Sequence, residues 1–575
     1  MKLTKVLGVC LLIVFVFLSA CQGAGPTASE SPTTPAATST PPPQTAPIEQ
    51  PTSIPQPVVD YPGIGWWNDV TFYEIFVRSF KDSDGDGVGD FQGIISQLDY
   101  LNDGDPNTST DLGIGGLWLM PIFPSPSYHG YDVSDYMSVN PDYGTIADFK
   151  QLLEECHQRG IHVIIDLVIN HTSSDHPWFQ AAVDGNAGYH DWYVWSKTKP
   201  TNTSGPWGNN AWYEASNGEY YYAPFTKEMP DLNYHNPMVT KAMDNVTSFW
   251  LNLGVDGFRV DAARYLFEES PALQDTKSTI TWFQEWRKYY KNINPEAFTV
   301  GEVWTDLQIT AKYNEPTKGM DSLFMFDLAA DVLGGVYSPD PSRVIKAYQD
   351  ALTYFPDGTF STFLTNHDQQ RVASFFSDKL SKQKIAAFTY LTGPGIPFIY
   401  YGEEIGMTGG KPDPNIRTPM QWNEEKNSGF TSGKPWMAVN ANFPQKNVEL
   451  LTNNPDSLLS WYRTLVNLRA NTPELRLGEY LPLISSCRSV YAVLRTLPDS
   501  TPVLAVINLA VTKAENCTIS LEASPAQAGD YNVQDLWGIS HLEAVTIATG
   551  GGIPEFPLST TLEGGESFIV RLINK

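Results

Sequence analysis

The chain has 575 residues and a formal net charge of −27. Because no cluster of basic residues is present to neutralise phosphates, this charge argues against a nucleic-acid partner and favours an uncharged one. The five cysteines form no CxxC metal pattern and no disulfide-dense framework.

The N-terminus predicts export and lipidation. Lys2 and Lys5 precede an apolar run over residues 6–17, and Leu-Ser-Ala-Cys at residues 18–21 is typical of a bacterial lipoprotein processing site. The run is too short for a retained membrane span. We therefore expect removal of residues 1–20 and a lipid anchor on Cys21, which would hold the protein outside the cytoplasm at the cell membrane or surface. The alternative is a cleaved signal peptide and a soluble product.

Residues 21–60 are rich in Ser, Thr and Pro and contain few large apolar side chains. Such a segment cannot bury a core, so it predicts an extended tether between the anchor and the folded part of the chain.

An acidic loop follows the first predicted strand. In the segment DSDGDGVGD, oxygen-bearing residues alternate with glycines, and this pattern suits Ca²⁺. An EF-hand would need Glu at the twelfth position, where this chain has Gly93, so we predict an EF-like loop on a different scaffold. A solvated acidic turn is the alternative. The predicted ligands are Asp82, Asp84, Asp86, the backbone carbonyl of Val88, and Asp90.

After the tether, apolar strand-like runs alternate with amphipathic helical stretches. Eight such strands predict an α/β fold, a (β/α)8 TIM barrel whose functional groups lie at the C-terminal strand ends. The predicted strands cover residues 70–80, 116–122, 162–169, 257–261, 299–303, 323–326, 362–365 and 397–401.

The same pattern predicts three regions after the tether. The barrel covers residues 61–171 and 236–470, and an inserted subdomain without helical periodicity covers residues 172–235. Short β-like runs separated by Pro, Gly and Asn predict a C-terminal antiparallel β-sandwich over residues 471–575. Aromatic residues cluster in polar loops of the insertion, where each ring either stacks on a ligand or packs within the loop.

Charged residues stand at the ends of several predicted strands. Arg259 and Asp261 are two residues apart, so strand alternation points both side chains inward, and Arg259 is expected to keep Asp261 ionised. If Glu302 ends the next parallel strand, the ~4.8 Å strand spacing brings the two carboxyl groups within about 5–6 Å. The alternative is that Asp261 only caps the next helix.

Four segments, DLVINH, GFRVDAARY, FTVGEVW and FLTNHD, occur in the order found in the α-amylase family of glycoside hydrolases, which the chain resembles from about residue 66 onward. The resemblance implies that Asp261 is the nucleophile and Glu302 the general acid/base. Asp368 would be the third carboxylate, which holds sugar hydroxyls. The short carboxyl separation inferred above favours a covalent glycosyl-enzyme intermediate, and therefore retention of configuration.

The resemblance also implies a set of substrate-binding residues. His171 and His367 would hydrogen-bond hydroxyls of the sugar unit being cleaved, and Tyr131 would stack beneath it. Arg259 would orient Asp261. The fifth such residue, Arg417 in NIRTPMQW, is shared with exo-acting relatives.

Two positions bear on the substrate. The segment MPDLN at residues 229–233 resembles the version seen in neopullulanases, cyclomaltodextrinases and an intermediate group of α-amylases, and Tyr128 stands where exo-glucosidases carry a pocket-closing Asp. Both favour endo-acting hydrolysis of α-1,4-glucosidic bonds in starch-like glucans and maltooligosaccharides. Arg417, in contrast, is shared with exo-acting relatives. Neopullulanase-like, cyclomaltodextrinase-like or oligosaccharide α-glucosidase activity therefore stays open.

A hypothesis of another class is an inert glycan-binding surface lipoprotein on the same fold. The presence of all three carboxylates favours the enzyme. The chain shows none of the large N-terminal domain that many cyclomaltodextrinases use to dimerise, so a monomer is expected. The sequence leaves open whether Cys487 and Cys517 pair, and it predicts that Cys156 is a buried helix residue.

Overall fold

The computed structural model describes residues 64–201, 204–269, 272–314, 318–558 and 561–575. The predicted signal peptide, the predicted lipidation site Cys21 and the tether over residues 21–60 lie outside the described residues. Within the described ranges, no helix is both long and apolar enough to cross a membrane.

Eight parallel strands build the central sheet, with an insertion after the third. The barrel begins with β1 (Phe72–Ile75), β2 (Gly116–Leu119) and β3 (His162–Leu167), and the insertion holds β4 (Trp195–Ser196), β5 (Trp212–Glu214) and β6 (Tyr220–Tyr222). The barrel then continues through β7 (Gly257–Val260), β8 (Phe298–Gly301), β9 (Ser322–Leu323), β10 (Ser361–Thr362) and β11 (Ile396–Tyr400).

The sheet closes on itself. Its strand order is β10-β11-β1-β2-β3-β7-β8-β9, and a parallel bridge between Phe324 and Ser361 joins the two ends. The Ser322 and Ser361 hydroxyls also hydrogen-bond at 2.8 Å across this seam. The predicted (β/α)8 barrel is therefore confirmed.

Strand alternation separates two apolar cores. Phe258 and Val260 of β7 belong to the outer core between sheet and helices, whereas Phe72, Trp118 and Phe298 fill the barrel interior. Because both faces of each strand are covered, the strands read as continuous apolar runs rather than as alternating ones.

The helices cover the outside of the sheet and join the domains. In chain order they are α1 (Val77–Phe80), α2 (Phe91–Ile95), α3 (Leu98–Leu101), α4 (Ile146–Gln158), α5 (Pro177–Val183), α6 (Pro237–Leu253), α7 (Lys277–Ile293), α8 (Leu307–Thr310), α9 (Phe326–Tyr337), α10 (Pro341–Tyr354), α11 (Val372–Phe375), α12 (Leu380–Leu391), α13 (Val448–Thr452), α14 (Leu458–Ala470) and α15 (Pro473–Leu477). Local signals set their starts. Thr145, for example, begins α4 with a reciprocal capping box to Asp148.

One predicted strand is too long. The apolar run over residues 70–80 was expected to be a single strand, but β1 ends at Ile75 and a helical turn, α1, follows. A continuous apolar run has no period that distinguishes strand from buried helix, which is why the sequence did not reveal this break. The turn sends the chain out of the barrel toward the acidic loop.

The insertion buries or partly buries all of its aromatic residues except Trp207. Trp192, Tyr193, Tyr221 and Tyr222 are all buried around the small sheet β4-β6-β5. Trp207 differs, because 71% of it is exposed. The rings therefore mainly build the insertion, and Trp207 is available to a ligand.

The C-terminal region consists of antiparallel strands around a separate core. They are β12 (Glu479–Pro482), β13 (Ile484–Ser485), β14 (Val490–Thr496), β15 (Val503–Asn508), β16 (Ala514–Glu515), β17 (Thr518–Leu521), β18 (Gly529–Trp537), β19 (Ala544–Ile547), β20 (Ile553–Pro557), β21 (Thr561–Leu562) and β22 (Ser567–Asn574). Six of them form the larger sheet. Cys487 and Cys517 are joined by a disulfide, and Cys156 is a buried free thiol.

Candidate active site

The candidate carboxylates lie at the C-terminal end of the barrel. Asp261 directly follows β7 and Glu302 directly follows β8, and the register pairs Val260 with Gly301, so the two acids leave the sheet side by side. Their backbone amides continue the ladder: Asp261 N–H donates to Leu167 and Glu302 N–H donates to Val260. The two carboxyl groups are therefore fixed by adjacent strands rather than by mobile loops.

A single buried guanidinium links these acids. Arg259 is 1% exposed, and its Nη1 donates to Oδ1 of Asp261 at 2.8 Å and to both oxygens of Asp166, at 2.7 and 2.8 Å. Its Nη2 donates to Oε2 of Glu302. Arg259 and Asp261 thus face the same way, as strand alternation predicts. Ala262, with φ of 44°, then turns the chain sharply away from the site.

Burial raises the pKa of both acids. It raises the pKa of Asp261 to about 6, against the opposing effect of Arg259. It raises the pKa of Glu302 to about 7, again against Arg259 and with the negative charge of Asp261 adding to the rise. Arg259 limits the rise for Asp261, so that Asp261 is ionised near neutral pH, which agrees with the sequence-based expectation. Glu302 is the group that retains a proton there.

The third carboxylate has the opposite environment. Burial acts to raise the pKa of Asp368, but the positive charges of His367 and Arg417 lower it to about 2. Arg417 Nη2 donates to Oδ1 of Asp368 at 2.8 Å, while its Nε donates to the carbonyl of His367 at 3.0 Å. Arg417 thus positions the Asp368 loop, and Asp368 remains charged across the working pH range.

Tyr131 and His367 form one hydrogen-bonded layer beneath the carboxylates. The Tyr131 hydroxyl lies 2.7 Å from His367 Nε2 and 3.0 Å from Oδ2 of Asp166, and the two rings stack with centroids 5.7 Å apart. His367 Nδ1 contacts Glu74 of β1 at 2.5 Å. Although burial alone would lower the pKa of His367, Asp368 and Glu74 raise it overall.

His171 lies in the same layer but faces protein. Its Nε2 is 3.1 Å from the carbonyl oxygen of Tyr131, and the residue is 2% exposed. Burial lowers the pKa of His171 to about 4, so it is neutral and donates to this carbonyl. The structure brings His171 to the site, where its ring contacts the backbone of Tyr131 and packs against Phe225 at a centroid distance of 5.4 Å.

The sequence did not single out three residues that shape this site. Asp166 and Glu74 are inward-facing charged residues in otherwise apolar strands. Their position on the inward side of the strand alternation could have indicated them as site residues. Trp304, two residues after Glu302, is 51% exposed and stacks flat on Phe326 at a centroid distance of 4.4 Å. An exposed indole supported on one face can receive an apolar sugar face on the other.

The position expected to close an exo-type pocket carries an aromatic stack. Tyr128 lies against Trp436, with centroids 5.5 Å apart and an angle of 21° between the rings. The guanidinium of Arg417 sits 5.9 Å from the Tyr128 ring centroid. Tyr128 therefore lines the wall beside Asp368 without supplying a carboxylate there.

The acidic loop gathers three of its five predicted ligands through their side chains. Carboxyl oxygens of Asp82, Asp84 and Asp86 lie within 4.8 Å of one another. Burial and the two neighbouring carboxylates raise the pKa of Asp86, which is the mutual repulsion that a divalent cation would relieve. Hard oxygens at this spacing fit Ca²⁺. Asp90 instead caps α2, with its carboxyl oxygens accepting from Gly93 and Ser83 amides at 2.6 and 2.8 Å; the Val88 N–H donates to Asp86 at 2.7 Å.

A second oxygen cluster lies behind His171. Asn170 donates to Oδ1 of Asp231 at 3.0 Å, while Oδ1 of Asn170, Oδ2 of Asp231 and Oε1 of Glu268 are buried without a partner. Burial raises the pKa of Asp231, with Glu268 adding to the rise, and burial raises the pKa of Glu268 to about 8. These three oxygens suit either a shared proton or a hard cation.

Comparison with known proteins matches this geometry to a family. The family model described as the catalytic domain of α-amylase matches residues 74–478. α-Amylase 3 of Dictyoglomus thermophilum is 41% identical over 451 residues, which cover 77% of this chain and 85% of the relative. The oligo-1,6-glucosidase of Parageobacillus thermoglucosidasius is 33% identical over 509 residues, which cover 75% and 88%.

Solved structures agree on the fold. The α-amylase from H. orenii superposes with a TM-score of 0.76 and 38% identity, covering 88% of this chain and 99% of that one. The trehalose-6-phosphate hydrolase of Bacillus licheniformis superposes with a TM-score of 0.75 and 29% identity, covering 89% and 100%. Proteins named for different activities thus share this fold.

Proposed function

The chain belongs to the α-amylase family of glycoside hydrolases, and on this premise we propose that it cleaves internal α-1,4-glucosidic bonds of starch-like glucans and maltooligosaccharides with retention of configuration. Hydrolysis of α-glucosidic bonds follows from the family. The main support for this reaction is that the carboxyl groups of Asp261 and Glu302 lie at the ends of adjacent strands. Both accept hydrogen bonds from one guanidinium group, that of Arg259.

The proposed reaction has two displacements. The Asp261 carboxylate attacks the anomeric carbon while Glu302 gives its proton to the glycosidic oxygen, so the C–O bond breaks and a glycosyl ester forms. Glu302, now a carboxylate, takes a proton from water as the water oxygen attacks the anomeric carbon and releases Asp261. Asp368 stays ionised throughout and accepts hydrogen bonds from sugar hydroxyls. Its charge stabilises the oxocarbenium-like ring.

The positions around the cleft support endo action. Tyr128 brings no carboxylate to the wall beside Asp368, and two indoles are exposed, that of Trp304 and that of Trp207 in the insertion. Phe225 packs edge-on against Trp207 at a centroid distance of 5.5 Å and against Tyr265 at 5.3 Å. The Arg264 guanidinium lies 5.8 Å from the Tyr265 ring centroid and donates to the backbone carbonyl of Trp304 at 2.6 Å. Such platforms suit a chain that extends past the scissile bond.

A second candidate is hydrolysis of short oligosaccharides, as in the relatives named oligo-1,6-glucosidases. Arg417 and its contact with Asp368 favour it. Chromatography of the products from amylose, isomaltose, pullulan and cyclodextrin tests both. The endo proposal expects mixed maltooligosaccharides with the α anomer first, and a rapid loss of iodine colour from amylose. Glucose as the only early product would contradict it, and a strong preference for cyclodextrin or pullulan would favour a neopullulanase-like enzyme.

The remaining expectations belong to the same proposal. The Asp82, Asp84 and Asp86 loop would hold a structural Ca²⁺, because three carboxylates in close contact are stabilised by a divalent cation. A lipid on Cys21 would tether a monomeric enzyme to the outer side of the cell membrane or the cell surface, where polymeric glucans are met. Labelling with a radioactive fatty acid, lost on Cys21→Ala, tests the anchor.

A further inference from the structure

A large groove lies where the barrel meets the C-terminal sandwich. Its volume is about 1050 Å³, at the upper end of the ~300–1,000 Å³ typical of small-ligand sites. The α9–α10 connection forms one wall, with Ser338 and Asp340, and α10 adds Gln349. The sandwich forms the other wall, with Ile484 and Arg488.

Tyr337, the last residue of α9, stands at one end of this groove. It is 59% exposed, yet its ring is held in place. The Lys382 ammonium lies 4.8 Å from the ring centroid and donates to the Tyr337 carbonyl at 2.6 Å, and the Phe375 ring packs against it at 5.8 Å. An exposed ring fixed in this way loses little entropy when a flat ligand stacks on it.

The groove adjoins a second cavity at Tyr337. Tyr337 and Ser338 also line a second cavity of about 430 Å³, which extends to Gln369 and Gln370. These two residues directly follow Asp368 in the chain. The two cavities therefore meet at Tyr337, and the second one reaches the residues that follow Asp368.

The chemistry of the lining selects a neutral, hydroxyl-rich ligand. The chain carries a net charge of −27, but the groove lining is neutral overall. It contains one acidic residue, Asp340, and one basic residue, Arg488. The remaining polar groups are serine hydroxyls and the Gln349 amide. An aromatic platform with a few hydrogen-bonding groups and no net charge matches a sugar chain better than an acidic or basic polymer.

We propose that this groove is a second glucan-binding site, in which Tyr337 stacks on a glucose unit of an α-glucan whose neighbouring segment lies in the catalytic cleft. The site holds long chains near the carboxylates without touching the reacting atoms. This inference rests on the proposed function, since it takes the occupant to be the enzyme's own polymeric substrate.

The test compares a long and a short substrate in the full chain. Tyr337→Ala should raise the KM for amylose and weaken retardation in a native gel containing starch, by about three- to tenfold for loss of one aromatic stack. It should leave kcat/KM for an aryl maltotrioside unchanged, because that ligand is too short to reach the groove. Tyr337→Phe should keep most of the affinity. Tyr354→Ala is the matched control, since Tyr354 is 43% exposed and outside both cavities.

The outcomes separate the two proposals. An unfolding temperature equal to that of the parent shows that Tyr337→Ala folds, and Arg488→Gln on the opposite wall should weaken starch binding in the same direction. If the parent hydrolyses amylose but both variants bind starch as the parent does, the groove proposal is wrong and the proposed function stands. If the parent acts on no α-glucan, both are wrong.

Discussion

At the residue scale, the site works by sharing one positive charge among three buried carboxyls. Arg259 contacts Asp166, Asp261 and Glu302, so two of its partners are the proposed nucleophile and general acid, and the third is a fully buried carboxyl group. Asp166 is 0% exposed and reaches Tyr131 as well as Arg259. It therefore sets the position of the guanidinium, and through it the position of both acids.

Replacement of Asp261 by Asn removes the proposed nucleophile with little change of shape. An amide cannot form the glycosyl ester, so kcat on amylose should fall by about 10³-fold or more. Arg259 keeps its two bonds to Asp166, so folding and starch binding should be nearly unchanged. Steady-state kinetics and gel retardation measure the two effects, and retention of a tenth of the parent kcat would remove Asp261 from this role.

The pH profile follows from the same two acids. Activity needs Asp261 ionised, which fails as pH falls below its pKa of about 6, and Glu302 protonated, which fails as pH rises above its pKa of about 7. The profile of kcat/KM should therefore be bell-shaped with a narrow maximum between these values.

Glu302→Gln should abolish the alkaline limb of that profile, since no titrating acid remains. It should also slow substrates with poor leaving groups far more than activated aryl glycosides, whose leaving oxygen needs no proton. Comparison of the two substrate classes over pH 5 to 9 measures both effects. An equal loss on both classes, with an unchanged alkaline limb, would indicate a structural Glu302.

Inward residues next to strand ends could be predicted from sequence, whereas their partners could not. The two-residue spacing of Arg259 and Asp261 determines that both face inward. The contacts of Arg259 with Asp166, and of His367 with Glu74, join strands far apart in the chain. The two-residue periodicity of a strand shows that a side chain faces inward. It does not show which side chain from another strand it contacts.

At the element scale, the acidic loop between α1 and α2 should control stability through its cation. An ion that binds only the folded state stabilises it by mass action, so chelator should lower the unfolding temperature of the parent. Asp84→Ala combined with Asp86→Ala removes two of the three clustered carboxylates and should abolish that chelator effect. Calorimetry with and without chelator and added Ca²⁺ is the measurement.

The control for this loop removes equal charge elsewhere. Glu285 and Asp350 are exposed helix residues in surface ion pairs, so Glu285→Ala with Asp350→Ala should keep the parent's response to chelator. If the loop variant still loses stability in chelator, the relevant ion lies elsewhere, and the buried oxygens of Asn170, Asp231 and Glu268 are the site to test next.

Element types were easier to predict than element ends. Each of the eight barrel strands overlaps its predicted run, because buried parallel strands are short apolar segments. β9 and β10, however, have only two residues each, and α1 interrupts the first run. In both cases the backbone leaves the hydrogen-bonded ladder of the sheet within an apolar run. Apolar composition alone does not show where the strand ends.

At the scale of the whole molecule, two buried arginines hold the loop before β11, and one of them, Arg495, connects the barrel to the C-terminal sandwich. Arg469 of α14 donates to the carbonyls of Leu391, Gly393 and Gly395, and Arg495 of β14 donates to Thr392. Both guanidinium groups donate hydrogen bonds to carbonyls in the same segment before β11. The sequence predicted a barrel and a sandwich separately, but not this junction, since it depends on carbonyl positions distant in the chain.

Arg495→Met should therefore weaken the junction while sparing the reaction. Arg495 is fully buried and donates to Thr392 at 2.8 Å and to Gly478 at 2.7 Å. Loss of its side chain leaves buried carbonyls unpaired, which costs about 2–5 kcal/mol. The matched control is Arg343→Met, because Arg343 is an exposed residue paired with Asp331 and such a pair contributes about 0–1 kcal/mol. Calorimetry at one scan rate should show a clear loss of unfolding temperature for Arg495→Met alone, with kcat near that of the parent; equal unfolding temperatures for the two variants would mean that the junction does not depend on Arg495.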